Sequence, residues 1–156
     1  MLNAGAKTLG EIRVDQVRQT VWIANKRLME FKIKTLLGLE QGNHVIVITS
    51  GYANMKGFKY IFSQVLNETS SLLDCKVIVD LQGSTIKFLL SDVTAFLESI
   101  DLEAWPRNNK LALVSSPEME QYQQLVMLGD GLKKRLLNVS VFHDTREGLT
   151  WLSDVR

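Results

Sequence analysis

The sequence predicts an α/β sandwich with a mostly parallel sheet of about five strands, an antiparallel edge strand, and about four helices that follow an N-terminal amphipathic helix. Three observations support this fold class. Val77, Ile78 and Val79 form an unbroken β-branched run, which is typical of a strand covered by helices on both faces. Strand-like and helix-like segments alternate along the chain, as they do around parallel sheets. A short connection joins the first two predicted strands, which favours an antiparallel pair.

The composition is that of an ordinary globular protein. The 156 residues are 46% hydrophobic and 22% charged, as in ordinary globular domains. The formal net charge of +1 gives no reason to expect a nucleic-acid partner, which normally requires a strongly basic face. No apolar segment approaches the ~20 residues that span a bilayer, so no transmembrane segment is predicted. The single cysteine, Cys75, cannot form an internal disulfide and is expected in the core, and a cytoplasmic location is the default expectation.

Residues 1–28 are predicted to be an N-terminal extension, and residues 29–156 to form the domain. A 3-4-3-4 spacing of apolar residues in the extension predicts an amphipathic helix over residues 14–28. This helix is expected either to pack on its own domain or to mediate homodimerisation or docking to a partner, because a narrow apolar stripe is also the coiled-coil pattern. The stripe consists of Val14, Val17, Val21, Ala24 and Leu28, and Trp22 lies just beside it.

Residue periodicity predicts the elements of the domain. Alternation predicts a strand over residues 31–37, and an apolar run predicts a second strand over residues 44–50. Helical spacing predicts helices over residues 58–73 and 90–100, on either side of the central strand that begins at Cys75. Further strands are predicted over residues 110–115 and 138–142, with a helix between them and a short helix after the second.

Turn and capping residues predict where these elements end. The central strand is expected to stop at a group of polar and small residues, Asp80, Gly83, Ser84 and Thr85. Ser116 is expected to cap the third helix, and Gly129 and Gly131 to end or interrupt it. Asp144 or Thr145 is expected to cap the closing helix.

No catalytic constellation is found in the sequence, and no enzyme activity, cofactor or metal site is predicted. His44 and His143 lack Cys, Asp or Glu at metal-ligand spacing. No serine lies in a Gly-x-Ser-x-Gly elbow. Asp80 with Gly83 can be interpreted as an anion cradle or as a plain strand-to-helix turn, and the turn is favoured because one glycine does not make a phosphate loop.

Aromatic residues are more frequent around the first two predicted helices than a minimal sandwich needs. Phe58, Phe62 and Phe96 are expected to belong mostly to the core. The alternative is that they line an apolar pocket between these helices and the sheet, in which case the protein binds an apolar small molecule or a lipid.

The element order over about residues 30–155 resembles the STAS family, the anti-sigma-factor-antagonist fold, and especially its divergent SpoIIAA-like members. The resemblance rests on Val77-Ile-Val-Asp-Leu-Gln-Gly83 before a helix, Leu111-Ala-Leu-Val-Ser-Ser-Pro117 opening another helix, and Val139-Ser-Val-Phe-His-Asp-Thr-Arg-Glu-Gly-Leu-Thr-Trp-Leu152 as the closing strand and helix. It implies a non-catalytic regulatory module that binds a protein partner. Divergent members also shade into lipid-carrying CRAL-TRIO-like proteins, which implies the carrier function as the alternative.

In the family, the loop after the central strand carries a serine or threonine that a partner kinase phosphorylates. The corresponding position falls around Phe88-Leu89-Leu90, where this chain has no hydroxyl, so the resemblance implies partner binding without the phosphorylation switch. Phosphorylation would place roughly two negative charges at a helix N-terminus, whereas this segment is apolar. The partner-binding segment implied by the resemblance comprises Gly83, Ser84, Thr85, Phe88, Leu89, Leu90 and Ser91.

Overall fold

A six-stranded mixed sheet forms the centre of the protein. The structure is a computed structural model, which describes the backbone of residues 13–23, 26–39, 42–70, 72, 74–100, 105, 108–135 and 138–154 and, within these ranges, the side chains from residue 29 onward except 37–39. The strands are β1 (Arg13–Ile23), β2 (Lys26–Leu39), β3 (Gly42–Ala53), β4 (Cys75–Ile86), β5 (Lys110–Val114) and β6 (Asn138–Phe142), and they lie in the sheet in this order. The β1–β2 and β2–β3 pairs are antiparallel, and the following three pairs are parallel.

Four helices are described, and they cover the two faces of the sheet unequally. They are α1 (Met55–Thr69), α2 (Leu90–Ser99), α3 (Met119–Lys134) and α4 (Thr145–Ser153). Helices α1, α2 and α3 contribute to the large core cluster on one face, while α4 packs on the opposite face over β4, β5 and β6. The predicted α/β class, the mixed sheet and the four helices of the domain are therefore confirmed.

The prediction of an N-terminal helix over residues 14–28 is wrong, because Val14, Val17, Val21 and Trp22 lie in strand β1 and Leu28 lies in β2. Five of the eleven residues of β1 are β-branched, and these residues favour strands over helices. The proposed dimerisation helix therefore does not exist in this structure. The predicted boundary between residues 28 and 29 falls inside β2, so the extension and the domain share one sheet.

The additional strand also changes the edge of the sheet. The strand predicted over residues 31–37 is antiparallel to its successor, as expected, but it is an inner strand because β1 pairs with it along almost its whole length. The sheet consequently has six strands rather than about five, and its edges are β1 and β6.

The alternation of side chains along the inner strands divides the core between the two faces. On the face of α1, α2 and α3, side chains such as Val47, Val79 and Leu113 are buried against the helices. On the other face, Leu152 of α4 packs on Ile78 and on its neighbours in β5, so the central strands are covered on both sides. The unbroken apolar run at Val77, Ile78 and Val79 is explained by this double coverage.

Three predicted element ends differ from the structure. Strand β4 does not stop at Gly83 but continues to Ile86, since it remains paired with β3. Helix α3 begins at Met119 rather than after Ser116. Gly129 does not interrupt α3, because it lies in the middle of the helix, where a Cβ would lie 2.6 Å from Val141 Cγ2; it allows α3 to approach β6 closely.

Candidate functional site

Exposed apolar side chains are concentrated where β3, β4 and β5 end. Of the seven large hydrophobic side chains that are exposed in the part of the chain that the structure describes, four lie at this end of the sheet. Leu89 and Leu90 are 60% and 66% exposed; Leu89 directly precedes helix α2, and Leu90 is its first residue. Met119, the first residue of α3, is 69% exposed, and Tyr52 lies opposite Thr85 near the end of β3. Of these four, Leu89 and Leu90 are adjacent in the chain, and contiguous exposed apolar surface marks interaction sites more often than single exposed residues do.

The backbone that presents Leu89 and Leu90 is held by two glutamines of α3. Strand β5 stops at Val114, opposite Asp80, so the following part of β4 has no strand on that side. Gln121 Oε1 accepts a hydrogen bond from the Ile86 N–H at 2.5 Å, and Gln124 Oε1 accepts one from the Phe88 N–H at 2.5 Å. These side chains satisfy backbone donors that would otherwise be costly to bury. The two hydrogen bonds therefore tie the segment before α2 to helix α3.

The glutamine pair was not identified from the sequence. Two glutamines three residues apart share one face of a helix, and here that face is turned toward the end of β4. The sequence contains one indication of this role: the two glutamines lie on the side of α3 where an amphipathic helix normally carries apolar side chains. The sequence does not show that this pair contacts the end of β4. The contact is possible because β5 has only five residues and β4 has twelve, so β5 does not cover the end of β4.

A bulge and a buried hydroxyl pair shape β4 just before this segment. Ile48 pairs with Asp80 and Ser50 with Gly83, so β4 contains one extra residue there. Ser84 is 7% exposed, and its hydroxyl lies 2.6 Å from Thr49 Oγ1. A Cβ at Gly83 would lie 2.8 Å from the Thr49 carbonyl oxygen, so the close approach of the two strands requires glycine.

Asp80 does not form an anion cradle with Gly83, Ser84 and Thr85. Its Oδ1 accepts a hydrogen bond from the Gln82 N–H at 2.9 Å, which is the turn-like interaction expected of an aspartate there. Gly83, Ser84 and Thr85 are strand residues of β4, and α2 begins only at Leu90. The interpretation as a turn is thus closer to the structure, although the strand continues past it.

Some of the predicted partner-binding residues are exposed, and others are buried in the core. Ser84 and Phe88 are buried, so they support the segment rather than present a surface. Gly83, Thr85 and Ser91 are exposed, as are Leu89 and Leu90. The surface available at this site is therefore smaller than the predicted segment and is dominated by the two leucines.

Phe58, Phe62 and Phe96 are core residues that pack directly on one another. The ring centroids of Phe58 and Phe62 lie 5.8 and 5.6 Å from that of Phe96, in both cases edge to face. Phe88 and Trp105 extend the cluster, with centroids 6.0 Å from Phe58 and Phe62 respectively. Their rings occupy the region between α1, α2 and the sheet in which an apolar pocket was the alternative interpretation.

Residues with reactive or metal-binding side chains are dispersed. Burial raises the pKa of the Cys75 thiol to about 12, so it remains protonated and unreactive at neutral pH. His44 is near the start of β3 and His143 follows the end of β6, so these parallel strands place them at opposite ends of the sheet. Among the described residues, no group of three His, Cys, Asp or Glu side chains is arranged to hold a metal ion. Within the same residues, no helix combines the length and apolarity needed to cross a bilayer.

His44 is expected to make stability depend on pH. Burial and the charge of Lys76 lower the pKa of His44 below 6.5 and outweigh an opposing interaction with the Gly42 backbone. The folded chain therefore binds fewer protons than the unfolded chain, and the free energy of unfolding falls as the pH falls through about 6.5. Urea unfolding between pH 7.5 and 5 measures this decrease.

Two histidine variants test whether His44 causes this fall in stability. His44→Gln should remove the part of the decrease that lies just below pH 6.5, whereas His143→Gln, at an exposed position, should retain it. A His44→Gln variant with the same pH profile as the unmodified chain would contradict the assignment.

Comparison of the chain with models of known protein families, with curated proteins and with solved structures finds no match.

Proposed function

We propose that the protein is a non-catalytic interaction module that binds a protein partner at the carboxyl ends of its parallel strands. The observation that supports this most strongly is the exposure of Leu89 and Leu90 on a backbone segment that Gln121 and Gln124 hold in place. Exposing two adjacent leucines to water is unfavourable by roughly 25 cal/mol for each Å² of apolar surface, and a partner that covers them recovers this free energy.

The charges around the leucines favour a partner of particular chemistry. Asp92 lies in the first turn of α2, and Glu118 and Glu120 lie at the start of α3, all exposed. Lys87 precedes the leucines in the chain, and Lys56 lies in the first turn of α1 at the same end of the sheet, both exposed. A partner with an apolar centre and Arg or Lys at its rim would complement this surface, and such complementarity increases the association rate and the specificity.

The resemblance to STAS regulatory modules agrees with this proposal, because that family uses the segment after the same strand for its partner. The absence of a hydroxyl at Phe88-Leu89-Leu90 supports constitutive binding rather than a phosphorylation switch. We expect the interaction to depend on apolar contact, with electrostatics contributing mainly to the rate of association.

The Leu89→Asp, Leu90→Asp double variant tests the proposal. Affinity capture from extracts of the cells that make the protein should retain specific partners with the unmodified chain and lose them with the double variant. Truncating an interface hot spot costs ~2 kcal/mol or more, so the affinity for an identified partner should fall at least about tenfold.

Leu149→Asp is the matched control, since Leu149 is an exposed leucine on α4, on the other face of the sheet. It should retain every partner that the unmodified chain captures. Circular dichroism and urea unfolding establish that all variants are folded. Partners that remain bound to a folded double variant would refute this assignment of the surface.

A further inference from the structure

The outer face of β2 and β3 is a second surface, which the described helices leave uncovered. Helices α1, α2 and α3 occupy the opposite face, and α4 covers only β4, β5 and β6. No described helix lies over the outer face of β2 and β3. Ile48 of β3 is 50% exposed there, whereas its neighbours Val47 and Thr49, which point to the other face, are buried.

The apolar core beneath α4 continues into this uncovered area. Ile78 and Leu152 form the buried cluster under α4, and Ile46 packs against that cluster from β3. Ile48 is two residues further along the same strand and extends the apolar strip into solvent. The apolar surface beneath α4 therefore extends beyond the helix, and its outer part at Ile48 is exposed.

Helix and strand spacings fix where a further helix would lie. Adjacent packed helices are separated by roughly 8–10 Å, and neighbouring strands by about 4.8 Å, so the next helix lies about two strands away. Helix α4 is centred on β5, and two strands from β5 is β3. A helix beside α4 would thus lie directly over Ile46 and Ile48.

Helix α4 itself is fixed at both ends and does not provide this cover. Near its N-terminus, Thr145 Oγ1 donates a hydrogen bond to Gln82 Oε1 at 2.9 Å. Near its C-terminus, Lys110 Nζ donates hydrogen bonds to the carbonyl oxygens of Trp151 and Asp154 at 3.2 and 2.6 Å. The ammonium group lies 5.0 Å from the Trp151 ring and complements the negative end of the helix dipole.

Two lysines lie on the β2 side of the strip. Opposite Ile48 and Ile46 in the register are Lys32 and Lys34 of β2, and neither forms an ion pair with any described residue. At the next position across the sheet, Arg18 of β1 pairs in register with Lys32. On the other side of Ile48, Asp80 of β4 lies opposite it in the register, so the basic side of the strip is the one toward β2.

A shallow cavity lies within this surface. It has a volume of about 310 Å³ and is lined by Glu30, Phe31, Lys32, Ile48, Thr49 and Ser50. Its position between β2 and β3 is where side chains from an overlying helix would enter. Ile48 and Lys32 adjoin one another around it, and Glu30 also contributes to its lining.

From these observations we propose that the outer face of β2 and β3 binds an acidic amphipathic helix of a partner protein, lying beside α4. Its apolar stripe covers Ile46 and Ile48, and its Glu or Asp side chains pair with Lys32 and Lys34. This is the helix-on-groove mode of recognition, in which residues at i, i+3, i+4 and i+7 anchor the helix. The surface is separate from the one at Leu89 and Leu90, so each is tested without the other.

Two synthetic peptides serve as probes. Each has about 18 residues, or five helical turns, with leucine at i, i+3, i+4 and i+7; one carries glutamate at the flanking positions and the other lysine. In NMR titrations of the full chain, the glutamate peptide should shift the amide signals of Lys32, Lys34, Ile46 and Ile48. It should bind at least about tenfold more tightly than the lysine peptide at low salt, and the difference should shrink at high salt.

Variants distinguish this surface from others. Ile48→Ser should abolish the shifts, and the Lys32→Glu, Lys34→Glu variant should reverse the preference between the peptides, while the Leu89→Asp, Leu90→Asp variant should bind the glutamate peptide normally. Ile48→Ser leaves the fold intact because the residue is half exposed. Equal binding of the two peptides, shifts elsewhere, or no binding would overturn the proposal. So would self-association that Ile48→Ser abolishes, since a second copy of the chain would then be the occupant.

Discussion

Replacing Asn109 by aspartate is expected to destabilise the fold by about 3–5 kcal/mol at pH 7, the cost of an uncompensated buried charge. Asn109 is fully buried immediately before β5, and its Oδ1 accepts a hydrogen bond from the Cys75 N–H at 2.8 Å. Its Nδ2 is buried without a partner among the described residues. An ionised carboxylate at this position would keep the bond from Cys75, but its second oxygen would be buried where Nδ2 has no hydrogen-bond partner among the described residues.

The pH dependence of this effect has a definite sign. Burial raises the pKa of the new carboxyl group in the folded chain above the ~3.9 of an unfolded aspartate. The folded variant then binds more protons than the unfolded one, so its stability relative to the unmodified chain falls as the pH rises above about 4. Urea unfolding at pH 4 and pH 7 should show a small deficit at the lower pH and the full deficit at the higher.

Asn108→Asp provides the matched control, because the neighbouring asparagine is exposed. It should change the free energy of unfolding by less than about 0.5 kcal/mol at either pH. If Asn109→Asp and Asn108→Asp unfolded at the same urea concentration at pH 7, the buried position assigned to Asn109 would be wrong.

The parts of the fold that the sequence predicted well are those in which burial and periodicity agree. The run at Val77, Ile78 and Val79 is covered on both faces, and the spacing of Phe58, Phe62 and Val65 matches the buried side of α1. The closing strand is Asn138–Phe142, as predicted, and Asp144 caps α4 by accepting a hydrogen bond from the Arg146 N–H. In each case local propensity and tertiary contacts favour the same structure.

The N-terminal segment shows why a pattern alone was insufficient. Val14, Val17 and Val21 fit a helical stripe, but residues separated by four also lie on one face of a strand, as Val17 and Val21 do. Their β-branched side chains decide for the strand once β2 offers a neighbour for pairing. That neighbour begins only three residues after β1 ends, which the periodicity of β1 by itself does not reveal.

The candidate site could be predicted only in outline. The sequence locates Leu89 and Leu90 after the central strand, but the exposure of these leucines and the burial of adjacent Phe88 depend on how α2 and α3 pack. The contacts of Gln121 and Gln124 with β4 join residues 35 and 36 positions apart, so they follow from the fold rather than from local spacing. The face at Ile48, over which no described helix lies, likewise depends on α4 lying over β5 instead of β3.

Replacing Phe58 by alanine is expected to lower the free energy of unfolding by about 3–5 kcal/mol. Phe58 is fully buried, and its ring contacts Phe62, Phe88 and Phe96 at centroid distances of 6.2, 6.0 and 5.8 Å. Its removal leaves a cavity among aromatic side chains that come from α1, from the segment just before α2 and from the middle of α2. Urea unfolding monitored by circular dichroism measures the loss.

The Phe58→Ala variant also tests whether the aromatic core supports the proposed binding surface. Phe88 directly precedes Leu89, so the loss of its contact with Phe58 should loosen the start of α2. Native-state hydrogen exchange should therefore accelerate at the amides of α2 more than at those of α4. Phe142→Ala is the matched control, because Phe142 is half-buried and contacts Trp151 on the opposite face. It should cost less stability and mainly affect α4. Equal acceleration in both helices with both variants would show that the two faces do not open separately.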